Sequence, residues 1–102
     1  MYHIHTSALE FEWNQLKERW NRKKHGVTFE EAADAFMDRH AGLYFDPDHS
    51  QAEDRFLLVG TSTKGRVLIV NHCYRKDGTR IRIISARKAT SFEIVEYFEG
   101  AK

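Results

Sequence analysis

Three apolar runs joined by short, glycine-containing connectors constrain the fold of this chain more than any other feature. The runs are RFLLVG, RVLIVNHCY and RIRIIS, and the connectors are TSTKG (61–65) and KDGT (76–79). Connectors of this length and composition are typical of hairpins, which join antiparallel strands. The sequence therefore predicts an antiparallel meander over 54–85, with the 43–45 segment on its edge.

Segments on both sides of these runs carry helix-capping signals. Asn14 can cap a helix over about 15–24, which Gly26 would end. TFEE (28–31) has the spacing of a capping box and predicts a second helix that ends near Met37. TSFE (90–93) repeats this spacing and predicts a C-terminal helix that ends before Gly100.

The order of these elements predicts a single α+β domain: two N-terminal helices, an antiparallel meander of about four strands, and a C-terminal helix. We expect residues 11–100 to form this domain and residues 1–10 to be an N-terminal extension. Helices on one face of the sheet would leave the other face for a ligand. The absence of a long apolar run predicts no membrane contact, and the single cysteine, Cys73, fits a reducing cytoplasm and a core position.

Charge is segregated along a chain whose formal net charge is only +1. Residues 28–54 contain eight acidic side chains and one basic one, whereas residues 64–88 contain eight basic side chains and one acidic one. This distribution favours a focused anion site over general electrostatic binding. The acidic segment is interpreted either as a solvated surface or as a contact for a cationic partner.

The basic segment predicts a phosphate site. Arg55, Arg66 and Arg82 begin or lie within neighbouring strands, and a guanidinium binds phosphate oxygens as a planar fork. The alternative is that these arginines form surface salt bridges. Strand alternation places Arg80, Arg82 and Ile84 on one face of the last strand, and it places these residues on the other: Ile81, Ile83, Ser85 and Arg87.

Motifs for metal or nucleotide cofactors are missing from the sequence. His3 and His5 could contact one metal ion, but no third or fourth ligand is obvious. The chain has no CxxC, no HExxH and no glycine-rich phosphate loop. We therefore expect no metal and no cofactor.

With metal and cofactor sites set aside, the remaining possibility is general acid–base catalysis by side chains close to arginines. Such groups are sufficient to cleave RNA without a metal ion. Glu53 is the carboxylate best placed as base, and His25 is the alternative. The phosphate would be held by Arg66, Arg82 and Arg87. Trp13, Tyr74 or Tyr97 could stack a base, although Trp13 can equally be a core residue.

Three segments resemble the BrnT family of ribonuclease toxins from bacterial type II toxin-antitoxin systems. They are FEWNQLKERWNRKKHGVTFEEA, HSQAEDRFLLVGTSTKGRVLIV and RIRIISARKATSFEIVEY, and the resemblance covers about residues 11–97. Asn14 replaces the usual aspartate of the family and keeps the capping role.

The resemblance implies a RelE-like fold, metal-independent endoribonuclease activity, inhibition of translation and a BrnA-type antitoxin that carries the contact with operator DNA. It implies Glu53, Arg66 and Arg87 as catalytic residues, and it implies these residues for RNA binding: Trp13, Lys24, His25, Arg55, Arg82 and Ser85. The alternative is a non-catalytic binding module or degenerate toxin that acts in operon repression.

Overall fold

The computed structural model describes residues 2–6 and 9–100, with side chains from residue 9 onwards except that of residue 77. The metal ligation considered for His3 and His5 therefore lies outside the described side chains. The elements are β1 (Tyr2–Thr6), β2 (Leu9–Trp13), α1 (Gln15–His25), α2 (Phe29–Ala35), β3 (Gly42–Phe45), β4 (Phe56–Thr61), β5 (Val67–Arg75), β6 (Arg80–Lys88) and α3 (Ser91–Gly100).

The six strands form one sheet in the order β1-β2-β6-β5-β4-β3. The predicted α+β class and the antiparallel meander β3 to β6 are confirmed. Two further strands extend the sheet, because β1 pairs with β2 and β2 runs parallel to β6. The N-terminal segment therefore contributes two strands, and the sheet is mixed. The pairing of β2 with β6 joins distant parts of the chain, so no local turn motif in the sequence predicts it.

The hydrophobic core lies between the sheet and α2. Phe11 and Trp13 of β2 are buried there with Phe29 of α2, and further core residues come from both layers: Val27, Ala32, Ala33, Ala35, Leu58, Leu68, Val70, Ile81, Ile83 and Ala86. The opposite side of the sheet, here called the open face, carries polar and apolar residues together.

A β-bulge decides which residues of β6 reach the open face. Asn71 pairs with Ser85, but the next residue of β5 pairs with Ile83, so Ile84 is the extra residue. A bulge shifts the alternation by one residue. Ile83 and Ala86 thus both enter the core, while Ser85 and Arg87 reach the open face. The predicted assignment of Ser85 and Arg87 to the same face as Ile83 is wrong for this reason.

The helix ends follow the capping signals with two exceptions: α3 includes Gly100, before which it was predicted to end, and the capping box of α2 is incomplete. Asn14 accepts a hydrogen bond from the Lys17 amide at 3.0 Å, and Gly26 ends α1 in the left-handed region with φ of 70°. Thr90 and Glu93 form a complete capping box. Thr28 accepts a hydrogen bond from the Glu31 amide, but the Glu31 side chain binds Arg66 instead of reaching back to Thr28.

The C-terminal helix α3 stands over the open face, whereas the sequence predicted all helices on one side. Tyr97 donates a hydrogen bond to Asp38, and Glu93 pairs with Arg87 of β6. These contacts attach α3 to one end of the open face and leave the middle of that face accessible. No helix in the described part of the chain is long and apolar enough to cross a membrane.

Candidate active site on the open face

A cavity of about 420 Å³ lies on the open face beside the bulge. We call it the open-face cavity; its lining residues are His25, Asp46, His49, Arg55, Leu57, Ile69, Asn71, Ile84, Ser85, Ala86 and Arg87. Four residues implied by the family resemblance therefore meet here: His25, Arg55, Ser85 and Arg87. Two imidazoles and two guanidinium groups share one concave site.

One of these imidazoles is held by a buried carboxylate. Asp46 follows β3 and is 8% exposed, and its Oδ2 lies 2.8 Å from His49 Nδ1. Asn71 donates a second hydrogen bond to the same oxygen at 3.1 Å. A carboxylate at Nδ1 favours the tautomer in which Nε2 is free to accept a proton. His49 therefore has the arrangement of a general base that two neighbours orient.

The two arginines of the cavity differ in their pairing. Arg55 has no carboxylate partner among the described residues, and its buried Nε makes no hydrogen bond within them. Arg87 instead forms a bidentate pair with Glu93, with nitrogen–oxygen distances of 2.8 and 3.0 Å. An unpaired guanidinium in a cavity is suited to an anionic ligand, because it is already partly desolvated. Arg55 is thus the first candidate for holding a phosphate.

The Arg87–Glu93 pair predicts a loss of stability in acid. Its hydrogen bonds lower the pKa of Glu93 from 4.5 to about 2. A carboxylate with a lowered folded-state pKa stabilises the fold above its unfolded pKa, and this contribution disappears as the pH falls through the folded value. We expect the free energy of unfolding, measured with urea, to fall between about pH 5 and pH 2. Glu93→Gln should flatten this fall, and Glu99→Gln on the same helix is the control; equal curves for both variants would contradict the prediction.

Glu53 lies outside the open-face cavity. Its Oε1 is 3.3 Å from Arg75 Nη1 at the end of β5, two positions beyond the Cys73 thiol. Cys73 is 1% exposed and is therefore a core residue, and its burial raises the pKa of the thiol to about 11, which does not suit a nucleophile. Arg82 also lies outside the cavity, on the far side of the bulge, where it pairs with Glu12 of β2. The prediction of Glu53 as base therefore has no support from the geometry.

Arg66 does not line the open-face cavity, and it lies far from Glu53 along β5. It precedes β5 and binds Glu31 of α2 through Nε at 2.8 Å and through Nη2, with a further bond from Nη2 to the Gly26 carbonyl. Because β5 has nine residues and spans about 30 Å, Arg66 and Glu53 sit near opposite ends of it. The fold therefore does not bring Glu53 and Arg66 together, and the catalytic roles implied for Glu53, Arg66 and Arg87 stay predictions.

Trp13 is also misplaced by the sequence prediction. It is 2% exposed, and its ring packs edge-on against Phe29 with centroids 6.0 Å apart. A buried indole cannot stack on a nucleobase, so the core alternative is the correct one. Lys24 is exposed next to His25 and does not line the open-face cavity, so its role in RNA binding stays a prediction.

The sequence analysis missed His49, Asp46 and Asn71. The spacing of Asp46 and His49 within DPDHS was a usable signal, since a turn at Pro47 brings residues three apart together. No local signal marks Asn71, which reaches Asp46 only through the pairing of β3, β4 and β5. Among the described residues, no three His, Cys, Asp or Glu side chains lie together as a metal site requires.

Most carboxylates of the acidic segment 28–54 form hydrogen bonds or ion pairs within the molecule. Five of its carboxylates have intramolecular partners: Glu31 with Arg66, Asp34 with Thr63, Asp38 with Tyr97, Asp46 with His49, and Glu53 with Arg75. This favours internal roles over the predicted solvated surface or cationic partner.

Comparison with known proteins agrees with this architecture. A family model described as "Ribonuclease toxin, BrnT, of type II toxin-antitoxin system" matches residues 13–93. The crystal structure of the Brucella abortus ribonuclease toxin BrnT superposes with a TM-score of 0.59, at 21% identity, over 78% of this chain and 94% of that one. At this identity the superposition supports the fold alone. A comparison with proteins of curated function gave no match.

Proposed function

We propose a function from one premise: the chain belongs to the BrnT family of ribonuclease toxins of type II toxin-antitoxin systems. The proposed function is endonucleolytic cleavage of RNA by attack of the 2′-hydroxyl, without a metal ion. The observation that carries it is the open-face cavity, in which His25, His49, Arg55 and Arg87 converge. Two imidazoles can move protons on opposite sides of a phosphate that the arginines hold.

In the proposed mechanism each group of the cavity has one role. His49 Nε2 takes the proton of the 2′-hydroxyl, and the 2′-oxygen forms a bond to phosphorus. Arg55 and Arg87 stabilise the charge that collects on the phosphorane oxygens. The bond from phosphorus to the 5′-oxygen breaks, and His25 gives that oxygen a proton. The products are a 2′,3′-cyclic phosphate and a free 5′-hydroxyl.

The roles of Asp46 and Glu93 follow from their contacts. Asp46 orients His49 and stabilises the imidazolium that forms when the proton is taken. Glu93 holds the Arg87 guanidinium at the cavity edge, so that the phosphate meets an arginine in a fixed position. Both are positioning residues, because neither needs to touch the RNA.

The proposal extends to the cellular role. Cleavage of RNA would inhibit translation in the cytoplasm, and a BrnA-type antitoxin would neutralise the toxin by covering the open-face cavity. Contact with operator DNA would come only through that antitoxin. Support for these points is family membership alone. The RelE-like character of the fold stays a prediction.

The proposed chemistry predicts cleavage of RNA in the presence of EDTA and none of an all-deoxy strand of the same sequence. The reason is that the nucleophile is the substrate's own 2′-hydroxyl and the positive charge comes from arginines. The measurement is gel analysis of labelled strands, with the 2′,3′-cyclic end identified by mass.

Glu53→Gln serves as the comparison variant, because its side chain pairs with Arg75 outside the cavity. We expect it to cleave at close to the wild-type rate. Dependence on an added metal, or cleavage of the deoxy strand, would contradict the mechanism. RNA binding with no cleavage would instead support a non-catalytic binding module.

A further inference from the structure

The outer surface of α1 carries a tryptophan that the fold does not bury. Trp20 is 65% exposed, whereas Trp13 is 2% exposed. The buried residue of α1 is the polar Asn21, which donates hydrogen bonds to the carbonyls of Val27 and Ala86 and accepts one from the Ala86 amide. These bonds fix α1 on β6. Trp20 is thus held at a fixed place on the surface without serving the core.

Trp20 lines a groove that is continuous with the proposed active site. This α1 groove has a volume of about 290 Å³ and is lined by Lys17, Trp20, Asn21, Lys24, His25, Ile84 and Ser85. His25, Ile84 and Ser85 also line the open-face cavity, so the two hollows adjoin. A strand whose phosphate occupies the cavity would therefore pass next over Trp20.

The charge of the α1 groove suits the same ligand. Lys17 and Lys24 lie one turn before and one turn after Trp20 on the same side of the helix, and no carboxylate lines the groove. Neither lysine has an ion-pair partner among the described side chains. An aromatic ring between two cations is the usual composition of a surface that binds single-stranded nucleic acid.

We propose that the α1 groove is a base-stacking subsite for unpaired RNA, in which a nucleobase lies on the Trp20 indole and the flanking phosphates lie near Lys17 and Lys24. This inference rests on the proposed function, because it places the subsite next to the scissile phosphate. Stacking accepts any base, so the subsite would select single-stranded over duplex RNA rather than one sequence. An acidic segment of a protein partner is the competing occupant.

The test uses the wild-type protein and a 2′-O-methyl RNA oligonucleotide, which cannot be cleaved through a 2′-hydroxyl. The affinity of each variant is measured by the fluorescence anisotropy of a labelled oligonucleotide, and in the wild type the tryptophan fluorescence is followed as well, since Trp20 is exposed to the ligand and Trp13 is not. We expect quenching on binding. Trp20→Ala should weaken binding roughly 5- to 100-fold, as loss of one base–aromatic stack does, whereas Trp20→Phe should retain most of the affinity.

Two controls separate stacking from charge and from folding. Leu16→Ala removes another exposed apolar side chain of α1, 57% exposed and outside the groove, and should leave affinity unchanged. Inorganic polyphosphate has no bases, so its binding should depend on Lys17 and Lys24 but not on Trp20. Unfolding temperatures of all variants confirm that the fold is intact.

The outcomes for the subsite and for catalysis are distinguishable. Unchanged oligonucleotide affinity in Trp20→Ala would overturn the subsite even if the wild type cleaves RNA. If binding quenches the fluorescence and depends on Trp20, but natural RNA is not cleaved, the subsite is supported and the proposed function is contradicted. Loss of affinity for a co-expressed antitoxin in Trp20→Ala, with oligonucleotide affinity unchanged, would assign the groove to the protein partner and overturn the inference.

Discussion

RNA cleavage is expected to fall by roughly 10²- to 10⁴-fold when His49 is replaced by alanine, because the change removes the proposed general base. His49 is mostly exposed, and its imidazole contacts Asp46 at the edge of the open-face cavity, so the substitution should leave the fold intact. The measurement is the single-turnover rate of cleavage of labelled RNA at saturating protein. The affinity for a 2′-O-methyl oligonucleotide should change little.

Two further measurements distinguish catalysis from a structural effect of His49→Ala. Added imidazole should restore part of the rate in this variant, which a merely misfolded protein would not show. His40→Ala, at an exposed histidine outside the cavity, is the matched control and should cleave normally.

Asp46→Asn tests the positioning role of the carboxylate. It should lower the rate without loss of RNA affinity, because Asp46 acts through His49. If His49→Ala cleaves RNA at the wild-type rate, His49 is not the base. An inactive His25→Ala variant would then move that role to His25.

A loss of about 3 kcal/mol in the free energy of unfolding is expected for Arg66→Ala, because the change leaves a buried carboxylate without its cation. Glu31 is 3% exposed, and its hydrogen bond with Arg66 is the main cause of its lowered pKa. The remaining hydrogen bond from Ser62 to Glu31, 2.7 Å long, cannot offset that charge. The measurement is urea unfolding at pH 7.

Arg75→Ala is the matched control for Arg66→Ala. Its pair with Glu53 is exposed on both sides, so its loss should cost no more than about 1 kcal/mol. Adding Glu31→Gln to Arg66→Ala should recover part of the stability, because it removes the buried charge. Equal costs for Arg66→Ala and Arg75→Ala would show that the Glu31 pair contributes little.

Activity measurements on Arg66→Ala also distinguish two reasons for which this variant could be less toxic in cells: loss of catalysis and loss of folded protein. If Arg66 were catalytic, folded Arg66→Ala protein would be inactive at any temperature. Because Arg66 does not line the open-face cavity and its guanidinium is paired with Glu31, we expect the folded fraction to cleave RNA normally. Reduced toxicity of Arg66→Ala in cells would then reflect a smaller amount of folded protein.

Local sequence determined the helix ends and the strands of the meander. Asn14, Gly26 and the Thr90–Glu93 box mark helix ends through bonds to neighbouring residues, so their effect is encoded within a few positions. The apolar runs and short connectors similarly encode β4, β5 and β6. Lys24 and His25 were implied as RNA-binding residues by the family resemblance alone, and that assignment stays a prediction.

Contacts between distant segments determined which side chains pair with one another and which are buried. The partner of Glu31 is Arg66 and not the Thr28 amide, because α2 lies against the beginning of β5. The role proposed for His49 depends on Asp46, which Asn71 contacts across the sheet. Trp13 enters the core because β2 pairs with β6, whereas Trp20 stays outside because Asn21 provides the contact of α1 with β6.

The site itself depends on one irregularity in the sheet. The sequence by itself determined that β6 would carry arginines and a serine at alternating positions. Only the tertiary structure decided which face receives them, because the bulge at Ile84 is fixed by the register between β5 and β6. That one extra residue moves Ser85 and Arg87 to the face where His25, His49 and Arg55 lie, since each added residue reverses the side on which all later side chains point.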